Sequence, residues 1–345
     1  VPTTRFSSDD EGIDAFYADL AEHDLQPLWE LTGLMTAEPN PRAVPFVWRG
    51  KHLSALAERS GELITSDRRV LSLANPGLAG APYAVPTLWA GIQYLNGREV
   101  APAHRHSPSA LRFVLSGSGV FTLVDGDPIA MEAGDLVLTP GWTWHEHHNT
   151  GAEPMAWLDG LDVPLVHYLD AVFFEPGDGS PADATAERSD SERRYGCAPG
   201  IVPVGEVPVR PHSALLTYRW ADTDRALTAQ LDQDTGRSAV RFVDPVSGRD
   251  VLPTLRCEMH RFLAGNQPLT RQRVGSAVGV VLRGSGSIAL GDTRHEVAAG
   301  DVFAIPSWTP VTVSAESDLD VFQYSDAPVL SALGLYRERS YSPEF

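Results

Sequence analysis

The feature that most constrains the fold is a repeat. The stretch Gly134-Asp-Leu-Val-Leu-Thr-Pro140, followed by Trp142, recurs as Gly300-Asp-Val-Phe-Ala-Ile-Pro306, followed by Trp308. The spacing around it is kept. The interval from His106 to Gly117 equals that from Arg273 to Gly284, and Gly117-Ser-Gly119 is answered by Gly284-Ser-Gly286. Tandem copies of one supersecondary unit restrict the chain to a duplicated architecture. Apolar runs of strand length fill the copies: Leu111–Leu115, Val120–Val124, Leu136–Leu138 and Met155–Leu158 in the first, Val278–Leu282 in the second. Gly, Pro and Asp break these runs, with Gly117-Ser-Gly119 and Asp125-Gly126 as turn signals. Many short strands with tight turns predict an all-β chain of sandwiches or barrels.

At 345 residues the chain is long enough for two core units. Its start reads as a helix: Ser8-Asp-Asp-Glu11 fits a capping box, and Ile13, Phe16, Tyr17 and Leu20 recur at helical spacing, with Pro27 near the end. Residues 36–48 are Pro-rich and read as extended, and a short helix is expected around 51–60. Residues 175–200 are rich in Gly, Ser, Asp, Glu and Arg and read as a long exposed connection. Scattered strand-like pieces follow over 205–250. A short closing helix is expected after Asp326, its candidate cap, with Pro328 early in it. The expected division is a helical and extended segment over 1–85 and a first barrel over 86–174. A connection with additional strands over 175–250 and a second barrel with a C-terminal helix over 251–345 complete it.

The net charge of −18 argues against nucleic acid and anionic membrane as partners, because their phosphates are repelled. A small anionic substrate remains compatible, provided local arginines offset the field. No apolar run has the length to span a bilayer, and the N-terminal residues lack the layout of a secretory signal. Cys197 and Cys257 lie far apart without a Cys-x-x-Cys pattern. Two unpaired thiols in a reducing cytoplasm are expected.

Histidines carry the chemical signal. His104 and His106 lie two apart, so on a strand both point the same way. His145, in Gly-Trp-Thr-Trp-His, offers a third imidazole from a later strand. His147 shares its parity and competes for the same place, whereas His148 has the opposite parity. Three protein ligands with open positions describe a catalytic metal site, and neutral imidazole suits iron, zinc, copper or nickel. In the second copy Arg271 and Arg273 replace His104 and His106, and Pro310-Val311 replaces Trp144-His145. Metal binding by the same geometry is lost there, and a structural role is expected.

These residues resemble the gentisate 1,2-dioxygenase family, which includes salicylate and 1-hydroxy-2-naphthoate dioxygenases. The likeness runs through His104-Arg-His-Ser-Pro-Ser-Ala-Leu-Arg-Phe113, Gly134-Asp to Trp144-His-Glu-His147, and Trp157-Leu-Asp-Gly-Leu-Asp162. It extends to Arg68-Arg-Val-Leu, Asn75-Pro-Gly, Thr87-Leu-Trp-Ala-Gly-Ile-Gln93 and Ser325-Asp-Ala-Pro, and so covers nearly the whole chain. The resemblance implies a bicupin: two tandem double-stranded β-helix barrels, a homotetramer and a cytoplasmic enzyme. Cupins often add a Glu ligand shortly after His-x-His; Ser-Pro-Ser-Ala-Leu-Arg stands here instead, which implies a three-histidine Fe(II) site. Relatives commonly have Asp-His-Gly after the ligand histidine, where this chain has Glu146-His147-His148, and often Thr-Gln where it has Ser107-Pro108.

The implied reaction inserts both atoms of O2 into an aromatic 2-hydroxycarboxylate, between the carboxyl- and hydroxyl-bearing carbons. Gentisate, giving maleylpyruvate, is the first expectation; salicylate, 1-hydroxy-2-naphthoate, or the chemistry of a non-redox metal cupin are the alternatives. A non-catalytic cupin that senses a ligand is a further alternative. Arg112, costly in an apolar strand unless paired, is expected to bind the substrate carboxylate or to form an ion pair with Asp159 or Glu146. Arg68 is expected to reach the site from the N-terminal segment or to stand as an exposed helix charge. His147 is expected as an acid/base or substrate contact, or as a hydrogen-bonded wall residue. Asp159 is expected to orient His147, assist proton transfer or pair with Arg112. Trp89 and Trp144 are expected to wall the aromatic ring or to serve as plain core.

Overall fold

The structure, a computed structural model, describes residues 10–66, 69–178, 188–198, 200–205 and 210–343. The chain forms two compact units, Val1–Asn40 and Pro41–Phe345. The first carries helix α1 (Asp10–Glu22); Ser8 and Asp9 of the expected capping box lie outside the described residues. Trp29 Nε1 donates to the Tyr17 hydroxyl at 3.0 Å, which donates to Glu30 at 3.1 Å.

The second unit is built of strands. Its first half runs β1 (Phe46–Trp48), α2 (Gly50–Leu63), β2 (Val70–Ser72), β3 (Trp89–Leu95), β4 (Val100–His106), β5 (Ala110–Ser116), β6 (Ser118–Val124), β7 (Asp127–Glu132), β8 (Leu136–Thr139), β9 (His145–Asn149), β10 (Met155–Leu161), α3 (Val163–Tyr168) and β11 (Phe174–Pro176). The connection holds α4 (Asp190–Tyr195), β12 (Thr217–Tyr218), α5 (Trp220–Ala229) and β13 (Arg237–Arg241). The second half runs β14 (Arg256–Phe262), β15 (Thr270–Arg273), β16 (Ala277–Arg283), β17 (Ser285–Leu290), β18 (Thr293–Ala298), β19 (Val302–Ile305), β20 (Val311–Ala315), β21 (Leu319–Ser325), α6 (Ala327–Ala332) and β22 (Glu338–Tyr341).

Each half pairs a six-stranded with a five-stranded antiparallel sheet. In the first half the orders are β12-β8-β5-β10-β3-β2 and β11-β4-β9-β6-β7; in the second, β1-β19-β16-β21-β14-β13 and β18-β17-β20-β15-β22. The duplicated all-β architecture read from the repeat is present. The repeat extends to the backbone. Trp142 and Trp308 both take the left-handed conformation, at φ 67° and 65°. Their amides make the same bond, Trp142 N–H to His106 O and Trp308 N–H to Arg273 O, each 2.7 Å. Gly117 and Gly284 turn their hairpins at φ 90° and 86°, where a side chain would be strained.

Alternation along the strands decides what each face does. On β5, Leu111 and Phe113 point at the second half, where Phe113 stacks on Phe322 with ring centroids 4.1 Å apart. Leu158 joins them on β10, and Val278, Val280 and Tyr324 answer from the other six-stranded sheet. The main core therefore lies between the two six-stranded sheets. Gly160 is required at that contact, because a Cβ there would sit 2.7 Å from the Tyr324 ring. Arg112 and Asp159, paired with one another and of the opposite parity, face the space between the sheets of the first half.

Three features depart from the sequence reading. Helix α5 was not expected: Thr223 and Leu227 are its only residues buried among those described, too few for a periodic signal. The end of the supposedly exposed connection is anchored. Ser189 and Glu192 form a capping box at α4, and buried Glu192 takes two bonds from Arg219, at 2.6 and 2.8 Å, while Arg219 also reaches Asp135 at 2.7 Å. Asp326 stands at the N-cap of α6, but its carboxylate caps nothing. It accepts instead from the Ser276 N–H at 2.9 Å and from Thr87 Oγ1 at 2.5 Å. Among the described residues no helix is long and apolar enough to cross a membrane, and Cys197 and Cys257 are both free thiols.

Candidate metal centre

Strand pairing brings three imidazoles together. His104 and His106 lie on β4, and His145 on β9 pairs directly with His104 beyond a register shift in β4. One ring nitrogen from each lies within 4.8 Å of the others. In all three rings Nδ1 meets a backbone carbonyl: Pro102 O for His104 at 2.9 Å, Pro108 O for His106 at 2.7 Å, and Thr143 O for His145 at 3.0 Å. A carbonyl only accepts, so Nδ1 carries the proton and Nε2 is the coordinating atom. His145 Nε2 is buried with no hydrogen-bond partner. Burial, then the charge of Arg112, hold the His145 imidazole well below its ordinary pKa, and therefore neutral. An orphaned, neutral, inward-facing nitrogen beside two oriented imidazoles fits a divalent metal ion.

The competing histidines do other things. His147 is buried on the same face as His145, with ring centroids 6.2 Å apart, and its Nδ1 lies 2.8 Å from Thr122 Oγ1. Burial, then Arg112, hold it well below its ordinary pKa. His148 stacks on Phe121 at 4.9 Å and lies 3.1 Å from Glu146.

The facing sheet supplies a row with a polar centre, Asp159 beside Arg112. Gly91, Asp159, Arg112 and Val137 stand side by side on β3, β10, β5 and β8. The Arg112 guanidinium lies 3.4 Å from Asp159 and donates to Thr139 Oγ1 at 2.5 Å. Trp157 Nε1 donates to Asp159 at 3.0 Å. Burial lowers the Arg112 pKa and pushes the Asp159 carboxyl up to about 6, with Arg112 and Trp157 opposing. The ion pair expected of Arg112 is thus with Asp159. Asp159 does not hold His147; Thr122 does.

Trp89 lies over Gly91, where a Cβ would come within 2.4 Å of the indole. That seats the Trp89 ring beside this row. Trp144 is exposed, with the Arg105 guanidinium 4.7 Å above its ring, and its geometry is that of a surface stack. Arg68 lies outside the described residues. Thr122, Thr139 and Trp157 were missed by the sequence reading. One signal was available for Thr139: the repeated motif carries Ile305 at its place. The other polar positions of the second half differ in the same way, with Gly279 and Gln323 paired where the first half pairs Arg112 and Asp159.

A cupin domain is matched at residues 91–162. Along nearly its whole length the chain is similar to a gentisate 1,2-dioxygenase of a Streptomyces species, at 49% identity over 350 residues and 97% of each chain. A 1-hydroxy-2-naphthoate 1,2-dioxygenase of Nocardioides sp. (strain KP7) is 34% identical, over 94% of this chain and 87% of that one. Among solved structures, salicylate 1,2-dioxygenase from Pseudoaminobacter salicylatoxidans, in its adduct with gentisate, matches with a TM-score of 0.95 at 44% identity, over 99% of this chain and 98% of that one. Identity and coverage of this extent, on a duplicated β fold with a three-histidine cluster in its first half, make the chain a member of the gentisate 1,2-dioxygenase family of bicupins.

Proposed function

We propose that the protein is an Fe(II)-dependent dioxygenase that opens the ring of an aromatic 2-hydroxycarboxylate between its carboxyl- and hydroxyl-bearing carbons, with gentisate as substrate and maleylpyruvate as product. The observation that carries this reading is the three-histidine cluster within electrostatic reach of the buried Arg112–Asp159 pair. When bound, Fe(II) supplies the Lewis acidity and redox capacity that dioxygenation needs. Three neutral imidazoles leave the ion its full charge, which favours an anionic substrate.

The remaining roles belong to the chain. Arg112 offers guanidinium donors to the substrate carboxylate, with Asp159 and Thr139 fixing its plane. Trp89 stacks beside the aromatic ring. His147, neutral and held through Nδ1 by Thr122, exchanges a proton at Nε2. The family resemblance adds Arg68 as a candidate anion contact. The reading extends to a cytoplasmic homotetramer, supported by the family resemblance.

The test is oxygen uptake by anaerobically Fe(II)-loaded protein on mixing with gentisate, salicylate or 1-hydroxy-2-naphthoate. Stoichiometric O2 consumption with a ring-opened product is expected, with gentisate highest in kcat/KM. Absence of uptake with all three acids would remove the oxygenase reading, and a salicylate preference would reassign the substrate.

A further inference from the structure

The second half keeps a hollow between its sheets where the first half holds its histidines. The cavity measures about 430 Å³, within the range of small-molecule sites. Much of its wall is apolar, including Ile288, Phe303, Ile305, Val311 and Val321. Against these stand three arginines: Arg237 on β13, and Arg271 and Arg273 on β15, the last two at the positions of His104 and His106.

The charges in this cavity are unevenly paired. Arg273 is spoken for: it donates to Glu258 at 2.8 Å and lies 3.3 Å from Glu338. The His260 imidazole also leans on Glu258, at 3.5 Å. Two further carboxylates reach the wall, both hydrogen-bonded to other groups, though Asp232 also attracts Arg237 from beyond ion-pair distance. Asp232 accepts the Asp234 and Thr235 N–H groups at 2.9 and 3.2 Å; Asp326 accepts from Ser276 and Thr87. Arg237 and Arg271 have no carboxylate within 4 Å among the described residues. Arg237 Nε is buried without a hydrogen-bond partner. Burial, then the neighbouring Arg271, lower the Arg237 pKa, with Asp232 opposing. Two half-buried guanidinium groups close enough to repel, one with an orphaned donor, are unfavourable until an anion joins them.

We propose that this cavity is a second ligand site, which binds a small aromatic carboxylate with its carboxyl group between Arg237 and Arg271 and its ring among Ile288, Phe303 and Val311. Planar guanidinium forks match a carboxylate, and the apolar wall favours an aromatic body over a phosphate. The inference concerns binding and stands apart from the turnover proposed for the metal centre.

Benzoate is the probe. Calorimetric titration into the His104→Ala/His106→Ala protein, which lacks two of the three candidate metal ligands, is expected to show one benzoate per chain. Benzyl alcohol and inorganic phosphate should each bind at least tenfold more weakly. In the same background Arg237→Gln and Arg271→Gln should each weaken benzoate at least tenfold, while Arg271→Lys retains most of the affinity. The thermal midpoint of each variant reports that it is folded. Absence of benzoate binding, equal affinity for benzyl alcohol, tighter binding of phosphate, or indifference to both glutamine variants would each overturn the proposal.

Discussion

The Arg112 guanidinium lies 3.4 Å from the Asp159 carboxylate, on the adjacent strand, yet Arg112 Nε makes no hydrogen bond. The pair is close enough to balance charge and loose enough to keep a donor for a third group. Breaking one side of a buried pair leaves the other charge uncompensated, at a cost of about 3 kcal/mol or more. Arg112→Met and Asp159→Leu should therefore each destabilise the protein by about that amount in denaturant unfolding. The double variant should be less destabilised than the worse single one. Turnover of gentisate should fall by about a hundredfold or more wherever Arg112 is lost, as for a truncated buried charge contact.

Thr122 holds His147 through a single 2.8 Å bond. Thr122→Val keeps the shape and removes the partner. The expected result is a fall in kcat of about tenfold with metal content unchanged, in line with other orienting contacts around metal sites. A loss of bound metal instead would place Thr122 in the support of the ligands.

Metal stoichiometry separates the halves. The three-histidine cluster is in the first half, while Arg271, Arg273 and Val311 hold the matching places in the second. Chelation should abolish oxygen uptake, and one equivalent of Fe(II) per chain should restore it. His145→Ala should bind almost none. A second tightly held equivalent in elemental analysis would contradict this assignment.

Asp162 predicts a pH dependence of stability. Burial pushes its carboxyl up to about 6, against hydrogen bonds from Thr254 and the Ser109 N–H; an unfolded carboxyl titrates near ~3.9. Below about pH 4 both states hold the proton. Between about 4 and 6 only the folded state does, so this group's stabilising contribution is lost as pH rises through about 6. The difference corresponds to roughly 2–3 kcal/mol. Asp162→Asn should flatten the fall in unfolding free energy between pH 4.5 and 6.5.

Gly160 faces the Tyr324 ring, with no room for a Cβ. Gly160→Ala should cost about 1–3 kcal/mol by overpacking, read as a lower thermal midpoint. Shortening the opposing ring by Tyr324→Leu in the same chain should return part of the loss.

Much of this molecule was legible in its residues because its signals are local or repeated. Glycine-bounded apolar runs marked the strands, and Gly134-Asp to Trp142 set against Gly300-Asp to Trp308 marked the duplication. The His104–His106 spacing gave one strand face directly. What escaped depends on pairing across the chain. Thr122 and Thr139 are ordinary strand threonines until the sheets close and bring them to His147 and Arg112. Trp144 reads as an aromatic beside a ligand; it stands just before β9, part-exposed, with Arg105 over its ring. Helix α5 is short and buries little, so periodicity gave no notice of it. The cavity between Arg237 and Arg271 was invisible for the same reason, since those residues meet only after the second half has folded.

Strand β1 has a consequence for how such a chain is made and kept. Phe46 pairs with Ala304, so an early segment leaving the ribosome must wait for one of the last before it finds its place. The histidine-bearing half, made alone, would carry an unmatched Phe-Val-Trp strand. It would also carry the bare apolar sheet face from which Phe113 and Leu158 project. Both are surfaces that promote aggregation. A gene shortened to the half with the histidines would lose its solubility before it lost its chemistry, which gives selection a reason to retain a half that has no metal ligands of its own.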